Sequence, residues 1–196
     1  MLSNPLFDLE FLNNLFLKNE REIYARITAL NLNEEPIEYI EGKISDGTIN
    51  VDGNSSVRRT CNLTMTAQDI NINEFYWGIK NKFKLEIGLK NDINNLYPEI
   101  IWFKQGIYVI TEFNTSLATN KWTIKIQGKD KMCLLNGDLS GNFMINTELG
   151  IYEDAQTKEH SYRTIKEILY DVICVQGKEL ISNVVINDLA DSGRFV

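Results

Sequence analysis

The stretch Lys82-Phe-Lys-Leu-Glu-Ile-Gly-Leu-Lys90 decides the fold class. Phe83, Leu85, Ile87 and Leu89 alternate with Lys82, Lys84, Glu86, Gly88 and Lys90. That is the period of two of a β-strand with one buried and one wet face. Arg58 to Ala67 repeats the pattern, with Cys61, Leu63, Met65 and Ala67 set against Thr60, Asn62, Thr64 and Thr66. Trp122 to Gln127 does so again, with Trp122, Ile124 and Ile126 inward. Further strands are expected at Tyr24 to Asn31, Ile37 to Ile44 and Thr48 to Val51, and at Ile100 to Phe113 with a break near Lys104 to Gly106. Turn residues separate them at Asn33-Glu34-Glu35-Pro36, Ser45-Asp46-Gly47, Asp52-Gly53-Asn54 and Thr119-Asn120-Lys121. Six to eight antiparallel strands joined by short polar turns predict a small barrel or sandwich rather than a βαβ sheet. Between them, Asp69 to Trp77 has room for a helix, although its apolar residues Ile70, Ile72, Phe75 and Trp77 fit neither period.

The flanks have a different period. Before the strands, Phe7, Phe11 and Leu15 share one helical stripe and Leu9, Leu12 and Phe16 an adjacent one, which predicts a helix from Asp8 to Glu22. Two readings of its wide apolar face stand side by side: packing on its own sheet, or docking on a neighbouring subunit. After Lys131, the segment Met132 to Gly150 is rich in Gly and Asn and reads as a loop or crossover. Ile165, Ile168, Leu169, Val172 and Ile173 then mark an amphipathic helix, with Ser161 or Thr164 as N-cap and Gly177 as C-cap. Asn183 to Leu189 reads as a strand. The expected organisation is therefore an N-terminal helical segment (1–22), a β domain (23–138), and a crossover loop with a helix-strand extension (139–196). One helix and one strand cannot close a core. The extension is expected to pack on the β domain or on another chain, or to be the start of something longer.

Composition sets the limits. The 196 residues are 43% hydrophobic and 24% charged, with a net charge of -7. Such a chain buries a real core, and disorder or a collagen-like repeat is excluded. No apolar run approaches the ~20 residues needed to cross a bilayer. The N-terminal apolar stretch has no preceding basic residue and is interrupted by Asp8 and Glu10, so synthesis and folding in a cytoplasm are the expectation. Cys61, Cys133 and Cys174 are odd in number and far apart, and are expected as small buried hydrophobes rather than disulfides. The acidic balance argues against general affinity for nucleic acid, and the pair Arg58-Arg59 and the run Lys129-Asp130-Lys131 are too short to reverse it.

Catalytic equipment is sparse. His160 is the only histidine and lies in a charged stretch. No nucleophile elbow, phosphate loop or dinucleotide fingerprint occurs, and no cysteine pair has zinc spacing. Neighbouring acids such as Asp69 with Glu74, or Glu153 with Asp154, read as surface charge. No metal and no cofactor is expected, and a binding or structural role is favoured over an enzyme. Trp77 and Trp102 are core residues or interface anchors on this reading.

Ordered strings from Glu22 to Gly137 carry a resemblance. They are Tyr24-Ala-Arg-Ile-Thr28, Gly47-Thr-Ile-Asn-Val-Asp-Gly53, Val57-Arg-Arg-Thr-Cys61, Asn73-Glu-Phe-Tyr-Trp-Gly78, Lys82 to Leu89, Ile101-Trp-Phe-Lys-Gln-Gly-Ile-Tyr-Val-Ile110 and Gly128-Lys-Asp-Lys-Met-Cys-Leu-Leu135. In order and spacing these resemble the N-terminal part of baseplate hub proteins of contractile-tailed bacteriophages that infect Gram-positive hosts. The resemblance implies a tube-like antiparallel β-barrel domain, a homotrimer between the central spike and the tail tube, and DNA only as passing cargo. It also implies a place in the virion. Phe7, Phe11, Leu15, Trp77 and Trp102 are the interface candidates on that reading. The rivals are a host-envelope glycan-binding module, and a peptidoglycan hydrolase in which a carboxylate such as Glu74 would act.

Overall fold

A computed structural model describes residues 7–68, 70, 72–73, 75–93, 95–118, 120–137, 139–140, 151–153, 156 and 160–186. The chain forms two compact units, one of residues 1–54 and 58–130 and one of residues 55–57 and 131–196. The protein is mainly β.

The first unit holds helix α1 (Leu9–Leu17) and strands β1 (Ile23–Leu30), β2 (Pro36–Val51), β3 (Arg59–Ala67), β4 (Lys82–Lys90), β5 (Ile100–Ala118) and β6 (Lys121–Asp130). Every pairing is antiparallel, and the order β1-β2-β3-β6-β5-β4 closes because β1 also pairs with β4. The Lys82–Lys90 strand has the bounds its alternation predicts.

Two strands are longer than their sequence suggests, and the reason is the bulge. Ser45-Asp46-Gly47 is not a turn between two strands. It lies inside the 16-residue β2, where Ile44 pairs with Met65 and Asp46 with Thr64, leaving Ser45 over. The extra residue flips the pleat, so Ile40 and Ile44 before it and Gly47 and Ile49 after it all face inward. Strand β5 does this twice. Leu85 pairs with Gly106 and Glu86 with Lys104, with Gln105 over; Ile110 pairs with Gly128 and Glu112 with Gln127, with Thr111 over. The expected break near Lys104 to Gly106 is the first of these bulges. Gly106 sits there at φ +116°, and a Cβ would meet the Arg59 guanidinium, which donates to the Gln105 carbonyl at 2.8 Å.

Long, bulged β2 and β5 belong to two halves of the ring. One half is β2 (residues 36–43), β1, β4 and β5 (residues 100–109). The other is β2 (residues 43–51), β3, β6 and β5 (residues 108–118). Their shared interior is filled by Ile27, Ile40, Leu63, Met65, Phe83, Leu85, Tyr108, Ile110, Ile124 and Ile126 among others, so the ring encloses a packed core and no channel.

Helix α1 covers a second cluster. Asp8 accepts from the Glu10 N–H at 3.3 Å as N-cap, and Phe11, Leu12 and Leu15 bury themselves against Leu89, Ile101 and Phe103. The helix ends at Leu17, short of the predicted Glu22, since Lys18 to Arg21 offers nothing apolar to bury. Lys18 is already extended, and Arg21 turns back to bond the Phe16 and Lys18 carbonyls. No helix forms among the described residues of 69–77. Phe75 to Trp77 form a turn, with the Tyr76 N–H on the Asn73 carbonyl.

In the second unit, the hairpin β7 (Ile151–Glu153) and β8 (His160–Tyr162) precedes α2 (Ile165–Tyr170), which begins at the predicted Thr164 cap with a reciprocal Glu167 box. The helix then widens into a π-turn over Asp171–Gln176 that ends at Gly177. The strand expected at Asn183 to Leu189 does not form over its described part. Ile181–Asn183 is a 3₁₀ turn, and Val184 is extended without a ladder partner among the described residues; residues 187–189 lie outside them.

One core residue makes a stability prediction. The Tyr108 hydroxyl is buried with no hydrogen-bond partner among the described residues, and burial also raises its pKa. Tyr108→Phe should therefore raise the unfolding free energy by about 1 kcal/mol, by removing an unsatisfied group without changing ring packing. Chemical denaturation of the two proteins checks this, and a loss of stability would show that the hydroxyl has a partner.

Candidate interaction surfaces

Two outer faces with opposite chemistry cover the ring. On the β2-β1-β4-β5 half, successive rows cross four strands. Lys43, Tyr24, Gly88 and Trp102 make one row, and Glu41, Arg26, Glu86 and Lys104 the next. Arg26 is the centre. Its Nε donates to Glu41 at 2.5 Å, a terminal nitrogen lies 3.8 Å from Glu86, and the guanidinium stands 4.2 Å from the Trp102 ring centroid and 5.7 Å from that of Tyr39. Lys84 reaches Glu86 at 3.0 Å. Glu86 is thereby 7% exposed although it points outward. Gly88 is required beneath Trp102, since a Cβ there would lie 2.8 Å from the indole ring.

The β2-β3-β6-β5 half carries a different field. Outward positions are Asp46, Thr48 and Asn50, then Thr60, Asn62, Thr64 and Thr66, then Lys121, Thr123, Lys125, Gln127 and Lys129, then Val109, Glu112, Asn114, Ser116 and Ala118. Two acids stand against three lysines, and most of the rest are short neutral polar groups. Lys125 and Glu112 pair at 3.3 Å. Its apolar positions are Val109, which is buried, and Ala118 at the end of β5.

The sequence-predicted interface residues fall in three places. Phe11 (6% exposed) and Leu15 (2%) are buried under α1, and Phe7 packs at the edge of the same cluster with Phe11 and Tyr97. The stripe thus takes the first of its two readings and packs on its own sheet. Trp77 is 2% exposed, stacks on Phe113 with centroids 5.1 Å apart, and donates its indole N–H to Glu38 at 2.5 Å. Trp102 is half-buried, between Gly88 and Arg26. Only Phe7 and Trp102 of the five keep part of their surface. Apolar residues left largely exposed are others, among them Leu9, Leu17, Tyr39, Phe75, Leu96 and Val185. Sequence reasoning passed over Arg26 and Glu86, because their partners lie on other strands and only the register reveals them.

A charged clamp holds the link between α1 and β1. Glu22 accepts from Lys43 at 2.6 Å, and from Lys90 and the Tyr24 hydroxyl at 3.1 Å each. These bonds, Lys43 first, hold its carboxyl down at about 2, against an ordinary 4.5. Lys18 pairs with Asp92 and lowers that carboxyl as well. An open groove of about 390 Å³ beside the clamp is lined by Leu15, Glu20, Glu22, Leu89 and charged neighbours. Cys61 and Cys133 are buried and Cys174 half-buried, all as free thiols, with burial pushing Cys61 up to about 12. Among the described residues no three His, Cys, Asp or Glu side chains converge on a possible metal position, and no helix is long and apolar enough to cross a membrane. Asp69, Glu74 and Asp154 lie outside the described residues, and the His160 side chain is not described.

No family model and no curated protein matches the chain. Among solved structures it is similar to chains of the Francisella PdpA-VgrG complex. For the half-lidded form the TM-score is 0.42 at 14% identity over 82% of this chain and 24% of that one. For the lidded form it is 0.38 at 16% over 74% and 23%. The chain spans about a quarter of the length of those it matches.

The clamp predicts a pH response. A carboxyl whose folded pKa is depressed contributes stability above its unfolded pKa and loses it as pH falls through the folded one. For Glu22 that window runs from 4.5 down to about 2. The stability gap between wild type and Glu22→Gln should be full at neutral pH and close across that window, and shrink in high salt. Denaturant midpoints measured from pH 7 to pH 2 check it; a gap that does not depend on pH would mean the clamp does not hold in solution.

Proposed function

We propose that the chain is a structural component of a bacteriophage tail baseplate, a hub or tube-initiating protein that links the central spike to the tail tube and borders the DNA channel. It works by geometry and contact rather than by catalysis. The supporting observation is the two-faced sheet β2-β3-β6-β5, apolar toward a filled core and mostly polar outward, with acids and lysines in nearly equal number. A sheet built this way suits a wall with water on one side. Since the ring of one chain is solid, a channel on this reading lies between copies, with the polar field facing it. Self-association as a homotrimer, contacts with tube and spike proteins, assembly in the host cytoplasm and residence in the virion belong to the same proposal.

The tube-like barrel of the sequence reading belongs here too, as the role of the closed six-stranded ring. The second reading, a glycan-binding module, is favoured by the exposed Tyr39 (65%) and the half-exposed Trp102. Arg26 over the Trp102 face weighs against it, because sugar stacking needs that face free.

Light scattering at several concentrations, with mass spectrometry of intact virions, tests the proposal. A trimer or hexamer that also occurs in virions is the expected outcome. A persistent monomer absent from virions, with cell-wall fragments that bind and are released by Tyr39→Ala, would replace it with the glycan reading.

A further inference from the structure

The β2-β1-β4-β5 face brings aromatic rings and unneutralised positive charge together. After the rows through Tyr24 and Arg26 runs a third, of Tyr39, Thr28, Lys84 and Ile107. In these three rows the four cations Lys43, Arg26, Lys104 and Lys84 stand against two carboxylates, on a chain whose net charge is -7. Both carboxylates are held inside the face, Glu41 by Arg26 and Glu86 by Arg26 and Lys84. Lys104 is exposed and has no partner among the described residues. Beside Tyr24 the face opens into a cleft of about 430 Å³, lined by Tyr24, Lys43, Gln68, Ile100 and Lys121 among others. The one carboxylate in its lining is Glu41, which Arg26 already holds. Lys43 is engaged by Glu22, whereas Lys121 is exposed and likewise unpaired among the described residues.

We propose that this face docks an acidic segment of a different tail protein, whose carboxylates meet Lys104 and the Lys121 side of the cleft while its body packs on the rings of Tyr24, Tyr39 and Trp102. The inference rests on the structural reading above and names the surface and chemistry of one of its contacts. Tyrosine, tryptophan and arginine are the residues enriched where protein interfaces hold most of their energy. Arg26 is already fixed by Glu41, Glu86 and the Trp102 ring, so little side-chain freedom is lost on association. A nucleic acid fits this face less well. Glu41 and Glu86 flank Arg26 and interrupt the run of cations that a phosphate backbone needs. A second copy related by a two-fold axis fits less well too, since it would set one positive face against another.

A photo-crosslinking residue in place of Tyr39, which is 65% exposed, tests this in assembled virions, with the same residue in place of Thr64 on the polar sheet as the control. The expected result is a link from position 39 to another tail protein, in a peptide rich in Asp and Glu, and no such link from position 64. Lys104→Glu together with Lys121→Glu should lower the yield of that link about tenfold and leave the melting curve of the free chain unchanged. A link to a neutral or basic peptide, a link to another copy of this chain, or no link at all overturns the acidic contact while the structural reading stands. So does a yield that survives the charge reversal. Virions that lack the chain, or links to cell-wall glycan in its place, overturn both.

Discussion

Everything in the first unit depends on keeping one face of a period-two chain turned inward around a closed ring. A strand long enough to serve both halves of the ring must bend, and bending costs register. Besides Ile37, left over beside the β1-β2 turn, three residues left over in the ladders, Ser45, Gln105 and Thr111, resolve this. Each inserts one position, so the parity of inward residues changes where the strand turns. Were Ser45 paired in register, Ile49 would face water while Ile44 faced the core. Were Gln105 and Thr111 so paired, Phe103, Tyr108, Ile110 and Phe113 could not all keep their inward positions.

The two faces follow from that constraint. Once the interior takes the large apolar side chains, the outer positions are left to local chemistry, and the two halves use them differently. Around Arg26 the side chains neutralise and cover one another: two carboxylates, a lysine and two aromatic rings leave Thr28 and Glu86 nearly inaccessible on the outside of a sheet. Desolvating Glu86 is tolerable because cations meet it from two strands. On the other half the outward side chains are mostly short threonines and asparagines, and Lys125 pairs with Glu112. One face is ordered by its own contacts and the other is left to solvent.

How far this was legible in the sequence depended on the range of the interaction. Alternation is local, so β1, β3, β4 and β6 were readable to within a few residues, and so was the cap at Thr164. A bulge is not local. Ser-Asp-Gly at 45–47 has the composition of a turn, and only the partner strand β3 makes it a one-residue insertion. The same limit hid the clamp, since Glu22 meets Lys43 and Lys90 across 21 and 68 residues. It also left the aromatic residues ambiguous. Periodicity cannot tell Trp77, which stacks on Phe113, from Phe75 two residues earlier, which is 80% exposed. The stripe of α1 was legible as a stripe; its partner was not.

The net charge of -7 invites the expectation that any surface facing nucleic acid is acidic. Residue placement argues otherwise for the polar sheet, whose Asp46 and Glu112 face Lys121, Lys125 and Lys129. Much of the acid lies elsewhere in the first unit, in Glu34, Glu35, Glu38 and Glu41 along the β1-β2 turn and the start of β2. Several of these carboxylates are already engaged: Glu34 by Lys82, Glu38 by Trp77 and Glu41 by Arg26. Beyond a screening length of about 8–10 Å so nearly balanced a field exerts little force on a polyanion. On the proposed reading, passage along this face would rest on short hydrated side chains that give a moving polymer few partners, rather than on like-charge repulsion.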